Sequence, residues 1–309
     1  MKRSVIQQGG KTLMVSLPIK WAKNYNINKG DELELKIDGN RICFSASGES
    51  KPEGITVSFE GLSERSIRYV LSGLHKSGYD ELNIFYDKQE NLEVIEDVLK
   101  NLYVGFAIVD QSDKSCKLKS LSKELPDQFD TALRRAFLVT LSMGDSIIEA
   151  IEKGKFKALN AIINLEKTNN QLTNFCERLL NKYPFLFPKK QNFMYVVLWN
   201  LEKICDDYKY ICKNLADYNG KISRELVEFF KATQNLLRGF YELFYKFSLE
   251  KLSQLNEEKK RIEQHHFKLG ETLKGEELKL WFYLMSAIYK IVEFSASTCA
   301  LRYTTETQQ

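Results

Sequence analysis

The stretch GGKTLMVSLPIKWAKNYNINKGDELELKIDGNRI, from Gly9 to Ile42, decides how the beginning of this chain folds. Leu13, Val15 and Leu17 recur at the two-residue period of a β-strand. Pro18 ends that strand and suits the first turn of a helix, where its missing N–H costs nothing. The sequence therefore predicts a strand that leads directly into a short helix over IKWAKNY.

The second half of the stretch has the pattern of a β-hairpin. Asn28–Asp31 is rich in turn-forming residues, and Asp38-Gly39 is a strong signal for a tight turn between two strands. The apolar face of this hairpin would be formed by Leu33, Leu35, Ile37, Ile42 and Phe44. An element this short is below the ~60 residues at which a single core becomes dependable, so we expect a second copy of the chain to complete it.

The same region is basic. Candidate contacts to the phosphate backbone of duplex DNA, all of which precede the first acid Asp31, are Lys2, Arg3, Lys11, Lys20 and Lys23. Two copies related by a twofold axis would present two basic surfaces, and DNA with inverted half-sites is a matching target. Judged on charge alone, a solvated strand face with ordinary surface lysines explains these residues better.

The order strand, Leu-Pro, short helix, Lys-Gly-Asp and strand resembles the swapped-hairpin DNA-binding domain of the AbrB, SpoVT and MazE transition-state regulators. The motifs that carry the resemblance, within residues 3–46, are Gly9-Gly10, SLPIKW at Ser16–Trp21, NINKGDELEL at Asn26–Leu35 and DGNRI at Asp38–Ile42. The resemblance implies an intertwined homodimer whose basic residues near the first hairpin and the short helix contact DNA. Some members of this superfamily mainly bind other proteins, which leaves a protein partner as an alternative.

Beyond this region the chain changes character. Ser45–Gly54 is small and polar, contains a proline, and predicts a linker. Residues 55–120 alternate between strand and helix patterns and predict a small α/β unit, in which no phosphate-binding loop is found. Residues 121–309 carry apolar residues at helical spacing and predict a helical region.

Three breaks divide the helical region, near Pro184–Pro188, Tyr218–Gly220 and Leu269–Gly275. They predict about six long helices, arranged as two three-helix bundles in tandem. One of these helices, around Gly239–Leu249, is aromatic almost all round, so most of its rings are expected in the core and some would face a partner or another subunit. The predicted fold class is multidomain α+β, with domains at 1–47, 55–120, 121–218 and 219–309.

Within LWNLEKICDDYKYIC, Leu198 to Cys212, Glu202 and Asp206 are four residues apart and share one face of a predicted helix. A hard or borderline cation that bridges both carboxylates would relieve their mutual repulsion. The alternative is a solvated acidic edge balanced by Lys203 and Lys209, which is the commoner meaning of such a pair on a surface helix.

Leu201-Glu202-Lys203-Ile204-Cys205-Asp206 resembles the third helix of a PhoU domain, and the segment from Ser142 to Leu172 resembles its first two helices. The resemblance implies two three-helix bundles that regulate phosphate uptake through the phosphate transporter and its signalling components. It also implies a divalent or iron-type metal at the first bundle. The ligand candidates carried over are Glu202 and Asp206, with Asp145, Glu149 and Glu166 as supporting ligands.

The second bundle departs from this pattern. Its matching helix reads AIYKIVEF at Ala287–Phe294, where Tyr289 stands in place of the first acid and only Glu293 keeps the second. In the first bundle Glu166 is followed by Asn169 and Asn170, and neutral amides bind a hard cation more weakly than carboxylates do. We therefore expect the second bundle to be degenerate and to hold no cluster.

Together these features favour a transcriptional regulator of the archaeal type, whose helical bundles sense a metal or a partner. The alternative is a PhoU-type adaptor that binds no DNA and docks on a transporter. No nucleophile–base pairing supports an enzyme. The start of the chain lacks the apolar segment of a signal peptide, and no stretch approaches the ~20 apolar residues of a membrane helix, so a cytoplasmic location is expected. The six scattered cysteines are expected to be buried free thiols.

Overall fold

The computed structural model describes residues 2–46, 52–121, 127–184, 187 and 189–303, except for the side chains of Lys36 and Asp38. Contacts between residues divide the chain into two compact units, Met1–Pro52 and Glu53–Gln309. Residues 47–51 of the predicted linker lie outside the described residues, as do residues 185, 186 and 188 of the predicted break at Pro184–Pro188.

The N-terminal unit contains two antiparallel hairpins joined by one short helix. Its elements are β1 (Ile6–Gln8), β2 (Thr12–Met14), α1 (Ile19–Asn24), β3 (Leu33–Asp38) and β4 (Arg41–Ala46). The strand predicted through Leu17 is too long. It corresponds to β2, which ends at Met14, and Met14 pairs with Ile6, the first residue of β1. Pro18 precedes α1 as its N-cap rather than lying in its first turn.

One face of the β3–β4 hairpin is apolar, as the sequence pattern predicts. Leu35 pairs with Phe44, and Ile37 pairs with Ile42, across the two strands. Every described side chain of residues 2–46 is exposed or half-buried, and none is buried. Within its described residues the unit therefore has no hydrophobic core of its own, and a two-stranded hairpin is at best marginally stable alone.

Residues 54–120 form a four-stranded sheet packed against two helices. The elements are β5 (Gly54–Ser58), α2 (Glu64–Lys76), β6 (Glu81–Phe85), α3 (Gln89–Leu102), β7 (Phe106–Ser112) and β8 (Ser115–Ser120). The sheet order is β5-β6-β8-β7, with β5 parallel to β6 and the other two pairs antiparallel. Leu82 and Ile84 of β6 pack with Ile67 of α2 and Ile95 of α3 in one core. This order of strands and helices is the one that the sequence pattern predicts.

The rest of the described chain is helical. The elements are α4 (Gln128–Glu152), α5 (Leu159–Ile162), α6 (Asn164–Lys182), α7 (Gln191–Leu215), α8 (Arg224–Tyr245), α9 (Leu249–His266) and α10 (Gly275–Tyr303). Six of these are long, three before Asn219 and three after it, in agreement with the predicted breaks. A single hydrophobic core joins all six, and α7 and α10 pack along each other.

Gln234 of α8 lies where the two groups of three helices meet. Its Nε2 donates to the carbonyl oxygen of Leu141 on α4 at 2.5 Å, and its Oε1 accepts from the hydroxyl of Tyr208 on α7 at 2.9 Å. A Cβ atom built on Gly144 would lie 2.3 Å from Oε1 of Gln234, so a glycine is needed for this close approach. The two groups of helices are therefore parts of one packed body.

Three details of the sequence prediction are wrong. The helix expected over Gly239–Leu249 is interrupted after Tyr245, because the hydroxyl of Ser248 caps α9 by accepting from the N–H of Lys251 at 3.1 Å. Helix α10 is long and apolar enough to cross a membrane by length and composition alone, although half of its most apolar window is buried among the other helices. Cys43 is exposed, whereas the buried cysteines are Cys116, Cys176, Cys205 and Cys212.

Helix α6 attaches the four-stranded sheet unit to the helical region through a buried arginine. The side chain of Arg178 is fully buried. Its Nη1 donates to the carbonyl oxygens of His75 and Tyr79 at 3.1 and 2.7 Å, and its Nη2 donates to Oδ1 of Asp80 at 2.8 Å. Lys182, one turn further along α6, also pairs with Asp80.

Two more side chains of α6 donate hydrogen bonds to the C-terminal ends of α2 and α3. Asn181 donates to the carbonyl oxygen of Lys76, the last residue of α2, at 2.8 Å. Gln171 donates to the carbonyl oxygen of Lys100, in the last turn of α3, at 2.8 Å. The last carbonyls of a helix have no partner within it, and they form the negative end of its dipole. Helix α6 therefore supplies the donors that these two helices lack.

We predict that Arg178→Ala lowers the free energy of unfolding by about 3–5 kcal/mol, because it removes the buried donor of two carbonyl oxygens and leaves the Asp80 carboxylate with Lys182 as its remaining ion-pair partner. Equilibrium unfolding of the intact chain in urea measures this loss. The matched control is Arg261→Ala on α9, whose side chain is 73% exposed and pairs with Glu258. This control should change stability by less than about 0.5 kcal/mol. Equal effects of the two substitutions would contradict the proposed attachment.

Candidate functional site

The five cations predicted to contact DNA are all exposed on the N-terminal unit. Lys11 lies in the turn between β1 and β2, and Lys2 and Arg3 precede β1 at the opposite end of that hairpin. Lys20 and Lys23 lie on α1, three residues apart and hence on neighbouring positions of its surface. Two further exposed cations, Lys29 and Arg41, were not singled out from the sequence, although each lies in or beside a turn that was.

A tight turn returns the chain from α1 to β3. The backbone N–H of Asn28 donates to Oδ2 of Asp31 at 2.7 Å, and the N–H of Asp31 donates back to the carbonyl oxygen of Asn28 at 3.2 Å. Gly30 between them has φ of 97°, in the region that favours glycine. The Asn-Lys-Gly-Asp signal in the sequence therefore positions the basic helix next to the second hairpin.

The apolar side chains of the same unit are uncovered. Leu13 of β2 is 69% exposed, Ile37 of β3 is 68% exposed and Ile19 of α1 is 67% exposed. Phe44 and Leu35, which pair across β3 and β4, are 44% and 50% exposed. An exposed apolar surface of this kind, bordered by charged residues, is typical of a protein interaction site. The unit thus combines a cationic surface with an apolar surface that needs a partner.

The acids predicted to bind a metal lie on α7, and lysines already contact them. Nζ of Lys203 lies 3.1 Å from Oε1 of Glu202 and 2.9 Å from Oδ2 of Asp206. Nζ of Lys209 lies 2.5 Å from Oδ1 of Asp206 and 2.8 Å from Oε1 of Glu166. Burial disfavours the charged form of Asp206, but hydrogen bonds from Lys209 and Lys203 outweigh it and lower the pKa of this carboxyl. Lys203 and Lys209 thus balance the acids as in the alternative, but the side chains of Glu202 and Asp206 are only 15% and 18% exposed, so the pair is not a solvated edge.

The supporting ligands separate into two groups. Glu166 shares Lys209 with Asp206 and so lies beside the predicted pair. Asp145 instead accepts hydrogen bonds from Gln234 and Arg238 of α8, and Glu149 pairs with Lys153 on its own helix. Among the described residues, no group of three or more His, Cys, Asp or Glu is placed to hold a metal ion. A cation at Glu202 and Asp206 would have to displace both lysines.

A fully buried carboxylate, Glu177 of α6, was not predicted from the sequence. Its Oε2 lies 2.6 Å from Nζ of Lys76 on α2, and that same Nζ lies 3.7 Å from Oε2 of Glu202. Burial raises the pKa of Glu177, against the attraction of Lys76. Trp199 covers this group, with Nζ of Lys76 and Nζ of Lys203 at 5.8 and 4.9 Å from its ring centroid. The packing of α6 against α2 places Glu177 against Lys76, a contact that depends on the tertiary structure and not on spacing in the sequence.

The comparisons with known proteins concern the N-terminal unit. Residues 6–43 match the family described as antidote-toxin recognition MazE, bacterial antitoxin. The match runs from the start of β1 into β4 and includes both hairpin turns and α1. Neither the search of curated proteins nor the search of solved structures finds a match. The chain therefore carries an N-terminal MazE/AbrB-type domain at residues 6–43.

The metal hypothesis predicts that Glu202→Ala/Asp206→Ala loses the metal that the reconstituted wild-type protein retains, because both proposed ligands are removed. Elemental analysis after reconstitution with iron or another divalent ion, followed by desalting, measures this. The matched control is Glu257→Ala/Glu258→Ala on α9, which lies outside the predicted ligand set and should retain wild-type metal content. Equal metal content in wild type and the Glu202→Ala/Asp206→Ala protein would remove these two residues as ligands.

Proposed function

We propose that this protein is a dimeric DNA-binding transcriptional regulator, in which the N-terminal unit of each copy contacts the duplex. The proposal rests on what that unit combines. It presents exposed cations on its first hairpin and on α1, has no buried side chain among its described residues, and matches a MazE-type domain. The proposed role is non-catalytic.

Each part of the unit has a separate task in this proposal. The apolar residues around Leu35, Ile37, Ile42 and Phe44 are covered by the same residues of a second copy, which supplies the missing core. The cations Lys2, Arg3, Lys11, Lys20 and Lys23 then occur twice, related by a twofold axis. Such a pair of basic surfaces can neutralise phosphates on two half-sites of a palindromic duplex.

We further propose that the helical region is PhoU-like and that the regulated process is phosphate uptake, as in regulators of the archaeal type. Support comes from the three long helices on each side of Asn219 and from Glu202 and Asp206 on α7. In this proposal the helices sense a metal at Glu202 and Asp206, or bind a component of the phosphate transporter. Phosphate-starved and phosphate-replete cells should then differ in the promoters that the protein occupies.

A second candidate function is an adaptor that never binds DNA. The description of the matching family as antidote-toxin recognition favours it, because that description names recognition of a protein. In this case the uncovered apolar surface of the N-terminal unit would receive a protein partner, and the helical region would dock on a transporter. Binding to duplex DNA separates the two candidates.

We predict that the intact protein binds duplex DNA at low salt and that affinity falls steeply as salt rises, because each phosphate contact releases counterions. Lys20→Gln/Lys23→Gln should weaken binding and flatten the salt dependence. If both lysines of both copies contact phosphates, the slope of log K against log salt becomes less negative by about 3.6. Fluorescence anisotropy with a labelled promoter fragment at several salt concentrations measures both quantities.

The matched control for this experiment removes two exposed lysines of the second compact unit, Lys260→Gln/Lys268→Gln. It changes net charge by the same amount and should leave the salt slope unchanged. Absence of binding to promoter and non-specific duplex at low salt would exclude the regulator and favour the adaptor.

We predict that Ile42→Asp converts the dimer to a monomer, because it places a charge in the apolar face shared by Ile37 and Ile42. Cys43→Asp is the matched control, since the next residue of the same strand points to the opposite face of the hairpin. Light scattering after size-exclusion chromatography should give a dimer for the wild type and Cys43→Asp. A wild-type monomer at micromolar concentration would contradict the shared core.

A further inference from the structure

We infer that the helical region binds a small organic anion at the end of the bundle where α7 begins and where α8 and α10 end. A cavity of about 210 Å³ lies at this position. Its lining includes Lys190 at the start of α7, Phe244 of α8, Phe247 in the following turn, and Thr298, Leu301 and Arg302 of α10. This inference goes beyond the proposed DNA-binding function and beyond the predicted metal.

The charge of the cavity favours an anion. Lys190 and Arg302 both line it, and no acid is among the described residues that line it. Lys190 is also the N-cap of α7, so the first N–H groups and the positive dipole end of a 25-residue helix lie at the cavity, while the side chains of Lys190 and Arg302 offset the negative dipole ends of α8 and α10. The N-terminus of a helix is a common binding site for phosphate and carboxylate groups.

An independent observation is the hydroxyl of Thr298. Its side chain is only 4% exposed, and Oγ1 has no hydrogen-bond partner among the described residues. Buried hydroxyl groups are nearly always hydrogen-bonded, and leaving one unpaired costs free energy. Thr298 lines the cavity, and a carboxylate oxygen bound there would accept this hydrogen bond after a rotation about χ1 brings the buried Oγ1 to the cavity surface.

The other residues that line the cavity indicate the chemistry of the uncharged part of the ligand. Phe244, Phe247 and Leu301 pack on the hydrophobic core and line the cavity with apolar surface. A strongly hydrated inorganic ion gains nothing from such walls, whereas an apolar organic group does. The volume is below the ~300–1,000 Å³ of pockets for drug-sized ligands. These limits fit a single-ring aromatic or short aliphatic carboxylate.

Phenylacetate and hexanoate are the probes for this site, and titration calorimetry with the full chain in the absence of DNA gives their affinities. We expect both to bind and the neutral isostere phenylacetamide to bind at least tenfold more weakly. Lys190→Gln and the isosteric Thr298→Val should each weaken phenylacetate binding by about tenfold, the usual effect of losing one hydrogen bond to a charged group. Lys260→Gln, which removes an exposed lysine outside the cavity, should leave the affinity unchanged.

The inference would be overturned by no binding of either carboxylate at millimolar concentration, by equal binding of phenylacetamide, or by unchanged affinity in both cavity variants. Inorganic phosphate is titrated in parallel, and binding as tight as that of phenylacetate would reject an organic ligand. Thermal unfolding of each variant shows that it is folded. DNA binding is measured separately, so failure of this inference and failure of the proposed regulator give different results.

Discussion

The buried guanidinium of Arg178 is the contact on which the larger compact unit depends. It joins α6 to two carbonyl oxygens and one carboxylate of the four-stranded sheet unit, where water cannot replace it. Asn181 and Gln171 add donors for the unpaired carbonyls at the ends of α2 and α3. The position of residues 55–120 in the fold depends on partners that lie about a hundred residues later, so their own sequence does not reveal it. The structure makes them part of one body with the helices.

The N-terminal unit, in contrast to the larger unit, lacks a buried core of its own among its described residues. Its described side chains include none that is buried, although its strands and helix form the predicted apolar and basic surfaces. A unit of this size has too little interior to bury Leu13, Ile37 and Phe44, and in the proposed dimer a second copy covers them. In the proposed regulator, the same association that buries these residues also duplicates the cationic surface. Stability and DNA contact would then arise from one dimerisation step.

The chemistry available to the acids on α7 depends on the residues that surround them in the fold. Spacing alone places Glu202 and Asp206 on one helix face, and that is equally compatible with a metal and with lysines. The folded chain places Lys203 and Lys209 within hydrogen-bonding distance of those carboxylates and adds Glu166 from α6. It also places Lys76 of α2 between Glu177 and Glu202. The result is a nearly neutral network in which lysines and carboxylates alternate. A cation must displace the lysines in order to bind.

Features that depend on neighbouring residues follow from the amino-acid pattern. Alternation specified the hairpin of β3 and β4, Asp38-Gly39 specified its turn, and helical spacing specified six long helices, because these patterns act within a few residues. Three-dimensional packing settled which helices share a core, that Arg178 and Glu177 are buried ionic partners of the sheet unit, and that Asp145 pairs with Arg238 of α8. Those outcomes depend on contacts between residues far apart in the chain, where burial and charge pairing act through space.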